Sequence, residues 1–210
     1  MYLPKHFKAD ERETRELLED IRAADLITPT DHGLFATFLP LLHDSSQDGL
    51  GSLLGHVARK NDHWRLEPLG ESMVIVQGPE GYISPGWYES KREHGRVVPT
   101  WNYVTAHIHG ELIVHDDPVW LEAIVRRLTD RHEAARPQPW SVDDAPRDYT
   151  ESQLRAIVGV ELRITRVEAK AKLGQNRSAA DIDGVIEGLR QSGNEQLAAA
   201  TARGRRDQNC

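Results

Sequence analysis

The sequence predicts an α+β protein that is mainly β, a barrel with peripheral and C-terminal helices. Apolar residues alternate with period two through the middle of the chain, and helical spacing takes over in its last part. Strands that meander first and helices that follow argue against alternating strand–helix–strand units.

The elements follow in order. Residues 10–24 place Leu17, Leu18, Ile21 and Ala24 at helical spacing, with Asp10 as N-cap and Glu13 completing a capping box. Residues 28–33 read as a turn. The apolar run 34–42, interrupted by Pro40, reads as a buried strand with an irregular end. Residues 44–51 are polar and glycine-containing, a loop, and strands are expected at 52–59 and 73–77. The clearest alternation spans 98–114, where Val104, Ala106, Ile108, Leu112 and Val114 share one parity and Gly110 is a candidate bulge or turn. Residues 118–132 form a helix with Pro118 in its first turn and Leu121, Ile124, Val125 and Leu128 as its apolar stripe.

Three prolines, Pro137, Pro139 and Pro146, mark 133–148 as a loop, and 149–157 as the next helix follows. Val160, Leu162 and Ile164 alternate again, but the parity has switched by Val167 and Ala169, as a bulge or break would require. Ser178 opens a helix with Ile182, Val185, Ile186 and Leu189 on one face. After Ser192-Gly193, Asn194 caps a second short helix ending near Ala202. This organisation predicts one domain over 1–190 and a variable, partly disordered tail over 191–210.

Composition narrows the function classes. Within 210 residues, 39% hydrophobic and 28% charged content is that of an ordinary globular chain. A net charge of -7 argues against a broad nucleic-acid surface, which needs clustered Lys and Arg. The single cysteine, Cys210, excludes an internal disulfide and suits a reducing cytoplasm. Residues 1–10 carry Lys5, His6 and Lys8 without an apolar run, so no secretory leader is expected. No run of about eighteen apolar residues occurs, so no membrane helix is expected either.

Several motifs fall away. The glycines in residues 49–55 lack dinucleotide-fingerprint spacing, and neither a phosphate loop nor a nucleophile elbow occurs. His107 and His109 share a strand face with His115 near, but no partner motif accompanies them and no metal is expected. The tail is a poor DNA reader: Asp181, Asp183, Glu187 and Glu195 face only Arg190, and Arg203, Arg205 and Arg206 form a small basic cluster expected to be disordered.

Three stretches are richer in aromatic, amide and basic residues than folding requires: 55–61 (GHVARKN), 82–103 (from YISPGWY to GRVVPTWNY) and 170–177 (KAKLGQNR). Arg59 and Lys60 at a strand end suit a dianionic phosphate, with hydroxyls such as Thr37 or Ser84 beside them. Trp87, Trp101 and the tyrosines can cover a flat ring, and Asn102, Gln175 and Asn176 offer amides to a heteroaromatic edge. A phosphorylated, planar, hydrogen-bonding ligand meets all three needs.

These segments, with the opening MYLPKHF and the strand ATFLP at 36–40, resemble the PaiB family of FMN-binding negative transcriptional regulators over nearly the whole chain, to about Leu189. The resemblance implies a bacterial, cytoplasmic homodimer with an FMN-binding split β-barrel and FMN in the cleft between subunits. It places Arg59 and Lys60 toward the phosphate with Thr37 and His56 nearby. Ser84, Trp87, Thr100, Trp101 and Asn102 line the flavin, and Lys172, Gln175, Asn176 and Arg177 reach in from the partner chain. Gly174, where the family commonly has serine, and Gly86 in the SP-x-WY motif are departures. The implied function is negative regulation, directly on DNA or through a partner regulator, with FMN as a structural or sensing ligand. A split-barrel oxidoreductase using FMN with NAD(P)H is the rival reading, and a flavin- or haem-degradation-related binding module a third.

Overall fold

The computed structural model describes residues 1–46 and 49–206, so Cys210 and part of the expected 44–51 loop lie outside the described residues. The chain forms two compact units. A barrel unit comprises Arg15–Val76 and His107–Val167, and a second unit comprises Met1–Thr14, Gln77–Ala106 and the chain from Glu168 on.

Six strands build the sheet: β1 (Ala23–Thr30), β2 (Gly33–Asp44), β3 (Ser52–Ala58), β4 (Ser72–Ile83), β5 (Thr100–His115) and β6 (Ile157–Lys172). They close in the order β1-β2-β3-β6-β5-β4. β1 pairs antiparallel with β2 and β4, β2 with β3, and β3 with β6. β4, β5 and β6 are long because each continues from the barrel unit into the second.

The predicted capping box is present at α1 (Glu11–Glu19): Asp10 N–H donates to Glu13 at 2.8 Å and Glu13 N–H donates back at 2.7 Å. The helix ends well before Ala24, however. Residues 23–30, expected as helix end and turn, form β1, and the turn is only Asp31–His32, with Gly33 at φ 102°. Tertiary pairing decides here, because Ala23 to Thr30 lie opposite Pro40 to Gly33 on β2 and Asp25 to Ile27 opposite Ile75 to Met73 on β4.

β2 corrects a second expectation. It runs unbroken through Pro40 and is not buried on both faces: Leu39 and Leu41 point into the core, while Leu34 and Phe38 are 79% and 69% exposed. Gly110 is not a turn. It sits within continuous β5, where a Cβ would strike the Arg163 carbonyl, so glycine permits close strand approach. The parity switch in β6 is real. Val158, Val160, Leu162 and Ile164 are buried, then Ala169 and Ala171, without interruption of the strand. It falls where β6 passes from one unit to the other, at Val167 and Glu168.

In the barrel unit, α3 (Pro118–Glu133) buries Leu121, Ile124 and Leu128, and Asp117 caps it by accepting from the Val119 and Trp120 amides. α4 (Arg147–Leu154) follows a loop that holds one short 3-10 turn. In the second unit, α2 (Ser90–Glu93), α5 (Ala179–Gln191) and α6 (Glu195–Arg206) surround a core of Ile83, Leu173, Ile182, Leu189 and Leu197. Ser178 caps α5 as expected. α6 continues four residues past Ala202, so Arg203 and Arg205 stand on an ordered helix, and Arg205 pairs with Asp183. Among the described residues, no helix is long and apolar enough to cross a membrane.

Candidate functional site

The second unit holds a cavity of about 210 Å³ lined by residues from four segments of the chain. β5 begins there, and its parity turns Thr100 and Asn102 to the same side. β6 ends there with Lys172. The chain then turns at Gly174, whose φ of 85° disfavours any side chain, and closes with Arg177 N–H donating to the Gly174 carbonyl at 2.9 Å. Asn176 and Arg177 complete that side. Phe7 arrives from the N-terminal segment, which is tied to β6 by the Lys8–Lys170 bridge and by Ala9 N–H donating to Ala169.

Tyr88 forms the remaining wall, with Val98 and Pro99. Its position is set by a 3-10 turn, Pro85–Trp87, capped by Ser84, whose hydroxyl accepts from Gly86 N–H at 3.1 Å. Trp87 packs on α5 where Gly188 leaves room for the indole. The buried Asp181 carboxylate then accepts from both the N–H and the hydroxyl of Ser90, at 2.9 and 2.8 Å, fixing the segment after Tyr88.

The electrostatics are one-sided. Lys172 Nζ donates to Thr100 Oγ1 at 2.6 Å and to the Trp101 carbonyl at 2.7 Å, both neutral. Burial pushes its pKa below the usual lysine value. The Arg177 guanidinium lies 4.7 Å from the centre of the Tyr88 ring, a cation–π contact, and burial raises the Tyr88 hydroxyl pKa. Asn102 is only 2% exposed. Among the described residues no carboxylate lines the cavity, so two cations face it without a charged partner on its wall.

The other residues singled out in the sequence lie elsewhere. Gln175 closes the loop beneath the cavity, donating to the Ala171 carbonyl at 2.6 Å and accepting from Leu173 N–H at 2.9 Å. Ser84 and Trp87 support Tyr88 as described. Trp101, of opposite parity to Thr100 and Asn102, is half exposed, donates its indole N–H to Glu80 and meets Tyr82 edge-on at 6.5 Å. It lines a separate, open cavity of about 340 Å³ with Gln77, Gly78 and Tyr103.

Thr37, His56, Arg59 and Lys60 belong to the barrel unit. The Thr37 hydroxyl is engaged by Asn61 at 3.1 Å and by Nδ1 of the fully buried His63 at 2.9 Å. His56 Nδ1 is buried without a hydrogen-bond partner among the described residues, and burial lowers the pKa of that ring. Arg59 donates through both terminal nitrogens to Asp116, at 3.0 and 2.5 Å, and to the Arg155 and Ile157 carbonyls. Lys60 is exposed in the turn after β3. Phe7 was not among the candidate residues and Tyr88 was included only as one of the tyrosines of the 82–103 stretch, although both fall in segments that carried the resemblance.

The cavity chemistry fits part of an FMN molecule. Two unneutralised cations suit a phosphate, and the Asn102 and Asn176 amides and the Tyr88 and Phe7 rings suit polar and flat groups beside it. Its volume lies below the roughly 300 Å³ at which pockets for drug-sized ligands begin, so it takes only part of the ligand.

Comparison with known proteins accords with this chemistry. Residues 1–166 match the family model described as "Putative FMN-binding domain". The chain is 33% identical over 196 residues, 92% of it and 91% of the relative, to protease synthase and sporulation protein PAI 2 of Bacillus subtilis. It is 30% identical over 158 residues to an uncharacterized protein of Saccharomyces cerevisiae, covering 66% of this chain and 94% of that one, so the relatives include fungal proteins. Among solved structures, the FAD and heme binding protein from Mycobacterium smegmatis matches with a TM-score of 0.58 at 16% identity, over 85% of this chain and 80% of that one. A conserved hypothetical protein from Mycobacterium tuberculosis matches with a TM-score of 0.57 at 11% identity, over 85% and 94%. At such identities the two structures speak for the fold, a split barrel.

Proposed function

The chain belongs to the PaiB-type FMN-binding domain family, and from that premise we propose that it is a homodimeric, flavin-responsive negative regulator of gene expression. The observation that carries the reading is the acid-free cavity between Lys172 and Arg177. These two side chains hold the phosphate of FMN, and Thr100 orients Lys172 through its hydroxyl. The buried Asn102 amide supplies a fixed hydrogen-bonding edge, and Tyr88 with Phe7 excludes water from one side. When bound, FMN supplies a redox-active isoalloxazine, which suits a sensing role.

Pairing of two copies is supported by the size of the cavity and by the outer face of the β1–β2 hairpin. Leu34 and Phe38 stand exposed there; Leu34 lies opposite Pro29, Ala36 opposite Ile27 and Phe38 opposite Asp25. Large apolar side chains exposed together on one sheet face suit a contact with a second copy. A ligand that binds only the paired state raises its population by mass action, which links flavin to dimer and dimer to regulation. The regulatory part draws on the sporulation role named for the Bacillus relative, and the net charge of -7 favours action through a partner regulator over direct reading of DNA.

The test is a titration of purified protein with FMN, followed by flavin fluorescence and by sedimentation. Tight one-to-one binding per subunit with a shift to dimer supports the reading. A monomer indifferent to FMN sinks it, and steady consumption of NADH or NADPH by the flavin-loaded protein would replace it with the oxidoreductase reading.

A further inference from the structure

A second cavity, of about 350 Å³, lies wholly in the barrel unit, between the start of α3, α4 and the end of β3. That volume is within the range of small-molecule pockets, about 300–1,000 Å³. The buried Leu121 and Leu154 are among its apolar lining residues, together with Pro118 and Val119, the latter 77% exposed. Among the described residues no aromatic ring lines it, so an aliphatic body fits better than a flat one.

Its charges are neutralised internally, with one exception. Arg59 is paired with Asp116, Arg147 with Glu151 at 3.0 Å, and Glu122 with Arg126 at 2.8 Å. Arg155 also lines the cavity, and among the described residues its guanidinium has neither an ion-pair nor a hydrogen-bond partner. Its backbone is anchored, since the Arg155 carbonyl accepts from Arg59 Nε at 2.8 Å and its N–H donates to Glu151 at 3.2 Å. An anchored residue with an uncommitted fork of donors at an apolar pocket is suited to one carboxylate.

We propose that this cavity binds an aliphatic monocarboxylate, its chain against Leu121 and Leu154 and its carboxylate on Arg155. The site is independent of the flavin reading, since none of its residues lines the cavity that holds Lys172 and Arg177.

The experiment is a calorimetric and amide-shift titration of the full chain with octanoate, and with octan-1-ol as the uncharged control. Octanoate is expected to saturate one site, to bind at least tenfold tighter than the alcohol, and to move the amides of residues 116–122 and 147–155. Arg155→Gln is expected to remove that tenfold advantage without affecting the alcohol, and Val119→Trp, at an exposed position, to block both probes. Both variants should keep the parent's circular dichroism and FMN affinity. Equal binding of octanoate by Arg155→Gln, no preference over the alcohol, or shifts confined to other residues would overturn the proposal. If FMN binding fails while octanoate behaves as described, the flavin reading falls alone.

Discussion

At the end of β3, Arg59 spends its guanidinium on both oxygens of Asp116 and on two backbone carbonyls; at the end of β6, Lys172 donates only to a hydroxyl and a carbonyl, and Arg177 covers a tyrosine ring. Both ends carry the same residue chemistry, and the sequence nominated both for the phosphate. The difference lies in what faces them. A guanidinium whose charge and donors are met by its own protein holds strands in place. Desolvated cations with neutral partners leave a positive potential that an anionic ligand relieves.

The widest effect should come from removing the second pair. Charged hydrogen bonds contribute about 1.5–3 kcal/mol each. Lys172→Ala with Arg177→Ala should therefore weaken FMN by about two to four orders of magnitude and abolish the preference for FMN over riboflavin. Arg59→Ala should change FMN affinity by less than about threefold. Flavin-fluorescence titrations of both ligands decide it: an Arg59 variant that loses more affinity than the double variant would reverse the comparison and return the phosphate to β3.

A second contrast is between the two faces of β2. Leu39 and Leu41 belong to the core, and their loss would unfold the barrel, whereas Phe38 points outward. Phe38→Asp should leave the melting temperature of the monomer nearly unchanged and weaken self-association about thirtyfold or more, the cost of losing one interface hot spot of about 2 kcal/mol. Sedimentation velocity over a dilution series reads it. An unaltered dimer would move the pairing surface elsewhere.

These contrasts show which parts of the molecule were legible in the sequence. The capping box of α1, the stripe of α3 and the cap of α5 were readable because each is settled within a few residues. So was the parity switch in β6, which marks the passage between units. β1 was not, since Ala23-Ala24 and Pro29 carry no strand signal and its state comes from pairing with β2 and β4. Leu34 and Phe38 were misread because an apolar run does not say which side is covered. At the site, Thr100, Asn102, Lys172, Asn176 and Arg177 were nominated and line one cavity. Tyr88 and Phe7 are brought there by contacts between distant segments, such as Lys8 with Lys170. The partner of Arg59, Asp116, stands far along the chain, and no local pattern announces it.

Acid–base behaviour sharpens the first contrast with a smaller effect. Burial lowers the Lys172 pKa, so the ammonium is lost as pH rises through a value below the roughly 10.4 of a free lysine. FMN affinity should hold steady near neutrality and then fall by about tenfold across that alkaline window. Lys172→Arg, which keeps its charge throughout, should flatten the fall. A wild-type affinity with no alkaline step, or one that Lys172→Arg leaves in place, would show that this cation does not face the phosphate.

The smallest effect concerns Gly174. Its φ of 85° lies in the left-handed region, where a side chain costs about 1–2 kcal/mol. The space is open, however: a Cβ there would come only within 3.9 Å of Arg177 Cγ and Asn102 Nδ2, ordinary contact distances. Backbone strain and ligand contact therefore separate at this position. Gly174→Ser should lower the melting temperature by a few degrees, the shift expected of about 1 kcal/mol in a chain of this size. It should alter FMN affinity by no more than about threefold, because the new hydroxyl enters a wall already supplied with amides and cations. A large loss of FMN with an unchanged melting temperature would mean that the ligand lies against the Gly174 backbone itself, closer than the cavity geometry places it.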